Sequence, residues 1–344
     1  MKEFDVNAWM RPNIRAMQPY SSARDEFHGS ASVFLDANEN PYNAPYNRYP
    51  DPMQWTLKAR ISEIKGVPVA SIFLGNGSDE PIDLLLRAFC EPGKEKMLTT
   101  DPTYGMYQVA AEVNNVACVK VPLRDDFSLD LPALLARIDD ATKLIYLCSP
   151  NNPTGNSLGH DAIREVLRRF RGIVVVDEAY IDFSAGPSFL RELGEWPNLV
   201  VLQTLSKAWG CAAIRLGMAF ASPEIIGVLN KIKYPYNVNL LTQEKALELL
   251  DEDRMRTQLA QILQERTRLR RDLSAIPLVR RIYPTDANFL LVDVGDADGV
   301  YHKLVEEGII VRNRNRVTLC RGCLRITVGT PEEDDKLLAA LRNM

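Results

Sequence analysis

A chain of 344 residues, 46% of them hydrophobic and 25% charged, has the balance of a globular protein with room for about two domains. Its net charge of −4 argues against broad nucleic-acid binding, which needs a basic face. No apolar run approaches the roughly 20 residues that span a membrane, and the first residues, Met1 to Asn7, lack the apolar core of a secretion signal. The cytoplasm is therefore the expected location.

Residues 1–30 are irregular, with Pro12 and Pro19, and read as an arm with a short helix that joins the smaller domain. Ser32 to Leu35 is a short strand candidate. The stretch Asp36 to Pro52 holds too much Asn and Pro for a regular element. It reads as a surface loop whose tyrosines, Tyr42, Tyr46 and Tyr49, suit an interface. From about residue 54 to 220, apolar strands alternate with helical patterns. The strand candidates are Ile72–Leu74, Met97–Thr100, Ala117–Val121, Leu144–Cys148, Ile173–Val176 and Val200–Leu202. Near-continuous apolar strands between amphipathic helices imply a mostly parallel sheet covered on both faces. Beyond about residue 230 helices dominate, over Asn239–Leu250, Arg254–Ala275 and Leu337–Arg342, with strands at Phe289–Val292 and Leu324–Val328. The expected architecture is α/β: a large domain over 31–235 and a smaller α+β domain over 236–344. On the second of those helices Leu259, Ile262, Leu263, Leu269 and Leu273 form an apolar stripe, so the arginines of the run Glu265–Asp272 read as its solvated face.

The cysteines, at 90, 118, 148, 211, 320 and 323, read as small core residues. Cys320 and Cys323 form a lone Cys-x-x-Cys. With no second pair, and only His28, His160 and His302 in the chain, no metal site is expected.

Ligands of open α/β sheets bind outside the carboxyl ends of the strands, and the polar loops of this chain follow its strands. Gly75-Asn-Gly-Ser78-Asp79 opens a helix, whose backbone amides favour phosphate; Ser78 and Asp79 can also simply cap it. Tyr104 offers a ring to a flat heterocycle. Asn152, Asp177 and Tyr180 follow, then Thr204-Leu-Ser206-Lys207 and Arg215. A partly desolvated lysine is a Schiff-base nucleophile, and hydroxyls with an arginine hold phosphate. A carboxylate paired with a pyridine nitrogen keeps that ring an electron sink. This set fits pyridoxal 5′-phosphate.

The segments Ser149-Pro-Asn-Asn-Pro-Thr-Gly155, Asp177-Glu-Ala-Tyr180 and Ser206-Lys207…Arg215-Leu-Gly217, in that order, resemble the signatures of the fold type I aminotransferases. A narrower resemblance, to the histidinol-phosphate aminotransferase family, covers nearly the whole chain. It rests on Pro19-Tyr20, Asn38-Glu-Asn-Pro41, Arg48-Tyr-Pro50, Arg87 to Gly93, Pro102 to Tyr107 and Gly322 to Thr330. It implies transfer of an amino group between L-histidinol phosphate and 2-oxoglutarate in histidine biosynthesis. It also implies that Lys207 binds the cofactor covalently, that Asp177 faces its pyridine nitrogen, and that Asn152 and Tyr180 face its phenolic oxygen. Tyr104 would stack on the ring, and Ser78, Asp79, Thr204, Ser206 and Arg215 would hold the cofactor phosphate. The family is dimeric, and Tyr49 matches a tyrosine that crosses to the partner's cofactor phosphate. Tyr20, Arg312 and Arg325 match substrate positions. Arg312 taken alone reads as a solvated charge beside Arg314 and Arg316, in a stretch that reads as a variable loop. Threonine-phosphate decarboxylase and aromatic aminotransferases share the frame and are the alternatives. A cofactor-binding transcription regulator would need a DNA-binding domain before residue 30, and no helix-turn-helix pattern stands there.

Overall fold

The computed structural model describes residues 4–20 and 32–344. His28 and most of the second half of the expected arm lie outside the described residues.

Seven strands form the large sheet: β1 (Ile72–Asn76), β2 (Lys96–Asp101), β3 (Ala117–Pro122), β4 (Thr142–Cys148), β5 (Ile173–Asp177), β6 (Leu199–Thr204) and β7 (Leu216–Ala221). Their order is β1-β7-β6-β5-β4-β2-β3. The strands β3, β2, β4, β5 and β6 pair in parallel, while β7 runs antiparallel to both neighbours. Every residue of β5, β6 and β7 is buried, which is why these strands read as unbroken apolar runs. Alternate side chains enter different cores. Ile145, Leu147, Val174, Val176 and Val201 face one layer of helices. Leu144, Tyr146, Val175, Val200 and Leu202 face the other. Each such aliphatic side chain contributes roughly 1.5–3 kcal/mol on burial.

The strand β7 was not anticipated. Its sequence, Leu216-Gly-Met-Ala-Phe-Ala221, is apolar but follows the lysine loop too closely for a helical crossover, so it returns antiparallel. Because β7 reverses direction between β6 and β1, the carboxyl ends of β1, β2, β4, β5 and β6 share one edge of the sheet with the amino end of β7. That edge carries the site.

A second sheet, order β10-β11-β9-β8, is fully antiparallel: β8 (Arg281–Ile282), β9 (Phe289–Asp293), β10 (Arg312–Asn313) and β11 (Cys323–Thr327). It packs with the helices Glu252–Ser274, Ala297–Glu306 and Pro331–Arg342 around Leu269, Leu273, Leu290, Leu324, Leu338 and Leu341. The last helix starts at Pro331, six residues before the expected Leu337, because Thr330 and Glu333 form a reciprocal capping box.

Other expectations need correction. Ser32 to Leu35 forms no strand. Residues of the described arm pack on the large-sheet side: Val6 and Met10 join Phe89 and Ile225, and Arg11 N donates to Ala88 O at 2.9 Å. The helix Leu240–Leu249, assigned to the smaller domain, places Ala246 in the large core with Leu57 and Ile61. Of the arginine run, Arg270 and Arg271 are exposed, but Arg266 is half-buried and donates to Ala287 O at 2.8 Å. Arg268 is tied to Glu265 and Asp335. Among the described residues, no helix is long and apolar enough to cross a membrane.

Candidate active site

One cavity of about 850 Å³ lies at the carboxyl edge of the large sheet, closed on its far side by the small sheet. Its wall includes Ser78, Asp79, Tyr104, Asn152, Asp177, Tyr180, Thr204, Ser206, Lys207, Arg215, Arg312 and Arg325. Residues spread along the chain from Ser78 to Arg325 thus meet because each follows, or faces, the end of a strand.

Asp177 ends β5 and is only 2% exposed. The Tyr107 hydroxyl donates to its Oδ2 at 2.6 Å, and Ala179 N donates to Oδ1 at 3.1 Å. Burial still raises its pKa above the ordinary carboxylate range, and those two hydrogen bonds only temper the rise. A cationic group brought to this carboxyl would reverse that balance.

Lys207 lies three residues past β6, half-buried, with Nζ 5.5 Å from the centroid of the Tyr180 ring. Its pKa is lowered, first by desolvation and then by Arg325 and Arg215. A neutral amine is therefore reached at a lower pH than for an exposed lysine, which suits a nucleophile and a proton carrier. Tyr180 packs edge-on against Phe289 of the small sheet, and burial holds its phenol protonated. Asn152 Nδ2 donates to the Tyr180 hydroxyl at 3.5 Å, while Asn152 Oδ1 accepts from Arg325 Nη1. This amide joins the two sheets across the cavity.

On the other side, Thr204 Oγ1 donates to Ser206 Oγ at 3.0 Å and accepts from Ser206 N at 3.1 Å. Arg215 adopts a left-handed conformation, φ 55°, just before β7, and its Nη2 stands 3.8 Å from Asp79 Oδ2. Gly77, φ +72°, precedes the helix Asp79–Phe89. A Cβ on Gly77 would stand 2.6 Å from Arg215 Nη2, so only glycine lets the guanidinium lie over the turn. Ser78 occupies the N-cap position, yet its hydroxyl makes no capping hydrogen bond. The capping alternative for Ser78 therefore fails in this structure. Tyr104 donates to Asp79 Oδ1 at 3.1 Å and sets its ring edge-on to Tyr107, 5.6 Å between centroids.

Two expected residues stand away from the cavity wall. Tyr20 is 70% exposed. Tyr49 is 50% exposed and stacks on Tyr236, 4.4 Å between centroids. Conversely, sequence reasoning passed over Tyr107, although it sits in the Pro102–Tyr107 motif, and over Arg314, which lines the cavity. It also gave no role to Glu178, buried beside Asp177. There Ser188 Oγ, Phe189 N and Gln203 Nε2 donate to its carboxyl, and burial nonetheless raises its pKa to about 7. Cys320 and Cys323 are buried, with both thiols pushed up to about 12 by desolvation, which disfavours the thiolate a metal would need.

The family model Aminotransferase class I and II matches residues 30–341. A histidinol-phosphate aminotransferase of Parabacteroides distasonis is 66% identical over 341 residues, covering 99% of each chain. Among solved structures, the histidinol-phosphate aminotransferase of Clostridium acetobutylicum superimposes with a TM-score of 0.80 at 26% identity, covering 87% of this chain and 90% of that one. The histidinol-phosphate aminotransferase of Sinorhizobium meliloti, in complex with pyridoxal-5′-phosphate, superimposes with a TM-score of 0.79 at 26% identity, covering 89% of each.

Proposed function

The chain belongs to the class I and II aminotransferases and, within them, to the histidinol-phosphate aminotransferases, and from that premise we propose that it exchanges an amino group between L-histidinol phosphate and 2-oxoglutarate, using pyridoxal 5′-phosphate. The observation that carries the reading is the meeting, in one cavity, of a pKa-lowered lysine, a buried carboxyl and a surplus of guanidinium groups.

The residues present fit the cofactor. Its phosphate finds Ser78, Thr204, Ser206 and Arg215 around a helix N-terminus, with Asp79 and its partner Tyr104 at the rim. A pyridinium nitrogen would give the buried Asp177 carboxyl the cationic partner it lacks. Asn152 and Tyr180 offer an amide and a phenol to the ring's phenolic oxygen, and Tyr104 offers a stacking face. When bound, the cofactor supplies covalent attachment of the substrate nitrogen and an electron sink for the pair left when a proton leaves carbon.

The chain's own residues do the rest. Lys207 Nζ, with its lowered pKa, takes the proton from the substrate carbon that bears nitrogen and, as its conjugate acid, would return it to the carbon on the other side of that nitrogen. Asp177, as a carboxylate, would pair with the positive charge of the cofactor's ring and so favour the loss of that proton. Arg325 and Arg312 bind the substrate phosphate and, in the second half-reaction, a carboxylate of 2-oxoglutarate. Tyr20 closes over the substrate. The working unit in this reading is a homodimer in which Tyr49 reaches the partner's site, and the enzyme is cytoplasmic, as befits an amino-acid biosynthetic enzyme.

Two half-reactions separate this from the decarboxylase reading. In single turnover without 2-oxoglutarate, the loaded enzyme should release one equivalent of imidazole-acetol phosphate from histidinol phosphate. Carbon dioxide from threonine phosphate, with no such release, would overturn the proposal. The high identity with a histidinol-phosphate aminotransferase supports the first outcome.

A further inference from the structure

Resting on the reading of this site as one for a phosphorylated substrate, we propose that Arg314 is a specificity-determining residue: with Arg312 and Arg325 it makes the far end of the cavity a subsite for a dianionic phosphate in preference to a carboxylate.

The argument begins with strand register. Arg312 lies opposite Arg325 in the β10–β11 pair, so their side chains share a face. Arg314 N donates to Cys323 O at 2.9 Å, which carries the pairing beyond β10. Residues two apart on an extended strand share a face, and the sequence Arg312-Asn-Arg-Asn-Arg316 sorts accordingly. The asparagines turn outward to the helix Ala297–Glu306: Asn313 Nδ2 donates to Asp298 Oδ1 at 2.6 Å, and Asn315 Nδ2 donates to Asp298 Oδ2 at 2.8 Å. The arginines line the cavity. What reads in one dimension as a solvated basic run is one row anchored outward and one row aimed inward.

Arg314 is the one member of the inward row that is half-buried, where Arg312 and Arg316 are exposed. Its guanidinium is half-buried, forms no ion pair among the described residues, and leaves a buried Nε without a hydrogen-bond partner. Its neighbours make matters worse. Burial, Arg325 and Arg312 together pull its pKa down to about 10, an unusual displacement for a guanidinium. Arg316, by contrast, is exposed and within the field of Asp298. Arg325 is held by Asn152 and lies over the Phe289 ring. A buried cation that repels its neighbours is retained at a cost that only an incoming anion offsets. One guanidinium matches a carboxylate as a bidentate pair, so two already exceed what a single carboxylate needs. The third finds its use with a phosphate monoester, which carries close to two negative charges and three acceptor oxygens at neutral pH. Arg325, whose Nε is likewise buried without a hydrogen-bond partner, lines the same cavity.

The test compares the cofactor-loaded wild type with Arg314→Gln, so that the cofactor's own phosphate position is filled. Thermal unfolding is followed without added anion, with inorganic phosphate and with acetate. Phosphate should stabilise the wild type more than acetate does. In Arg314→Gln the phosphate effect should fall by at least about half, while the anion-free melting temperature stays level or rises as repulsion is relieved. Loss of one charge-assisted contact should raise KM for histidinol phosphate by about tenfold, change kcat less, and leave KM for 2-oxoglutarate nearly the same. The preference for histidinol phosphate over histidinol should fall by a similar factor. Arg314→Lys should keep part of the phosphate effect. An Arg314→Gln enzyme with an undiminished phosphate effect and preference would overturn the proposal, as would one that melts lower without anion, which marks a structural role. If the wild type turns over no histidinol phosphate, the functional reading fails, and the phosphate-against-acetate comparison still decides for or against Arg314.

Discussion

The two walls of the cavity are built on opposite terms. The wall on the large sheet is largely hydrogen-bonded within itself, with the Asp177 carboxyl left short only of a cationic partner. Asp177 accepts from Tyr107 and Ala179, Ser206 is tied to Thr204, and Tyr104 donates to Asp79. The wall on the small sheet is left wanting: Arg314 and Arg325 each keep a buried Nε without a partner, and burial and then neighbouring guanidiniums lower the pKa of both. A pre-organised wall holds a resident group in one geometry. An under-satisfied wall gains most when a ligand arrives, and it can take chemically different ligands in turn. That division suits a reaction in which one cofactor stays while two substrates alternate.

The contrast can be broken at either wall. The largest effect is expected at Lys207. Lys207→Ala should lower turnover by at least about 10³-fold, since it removes both nucleophile and proton carrier, while circular dichroism and the melting temperature stay close to wild type. Turnover within tenfold of normal would mean that another group carries the proton.

On the opposite wall, Arg325→Gln should act on binding. Removing one charge-assisted partner and leaving Asn152 Oδ1 short of a donor should raise KM for both substrates by about 10- to 100-fold. Steady-state kinetics with each substrate check this. An effect confined to kcat would place Arg325 with the chemistry instead.

A smaller change tests how far the first wall is finished before any ligand arrives. Tyr107→Phe deletes the hydroxyl that donates to Asp177 Oδ2 at 2.6 Å in a fully buried position. A buried acceptor left unsatisfied costs roughly 1–3 kcal/mol, which denaturant unfolding of the cofactor-free protein will show. Cofactor affinity should fall with it. An unchanged midpoint would mean that water replaces the hydroxyl.

The gentlest test is pH. Glu178 is buried and its pKa is raised from 4.5 to about 7, so the folded protein favours its protonated form. Its contribution to stability is therefore fully present below about pH 4.5 and is lost as pH rises through about 7. Glu178→Gln should flatten the pH–stability profile over that window, read as melting temperatures at pH 5 and pH 8. An identical slope in the variant would assign the effect elsewhere.

The first wall could be read from local sequence to a degree the second could not. Strands β1, β2, β4, β5 and β6 announce themselves as apolar runs, and each ends in a polar loop that can only lie at the sheet edge. Fold class, the position of Lys207 past β6 and its company of Asp177 and Tyr180 follow from that. Tyr107 was hidden because it looks like one more apolar helix residue, and only the approach of β5 shows its hydroxyl to be spent on Asp177. Glu178 was hidden for the same reason, since its burial depends on the segment around Ser188 folding over it.

The second wall belongs to long-range pairing. In the run Arg312-Asn-Arg-Asn-Arg316 the alternation is visible, yet nothing local says which row faces water. A two-residue strand has no apolar face to orient it; Arg312 opposite Arg325 and Asp298 beneath the asparagines settle the matter. The antiparallel turn of β7, which brings Arg215 to the site edge, likewise depends on neighbours on both sides. Local periodicity and turn chemistry thus determine what the elements are and where the reactive side chains fall along them. Register and packing decide which charges are left facing the ligand, because those depend on residues far away in the chain.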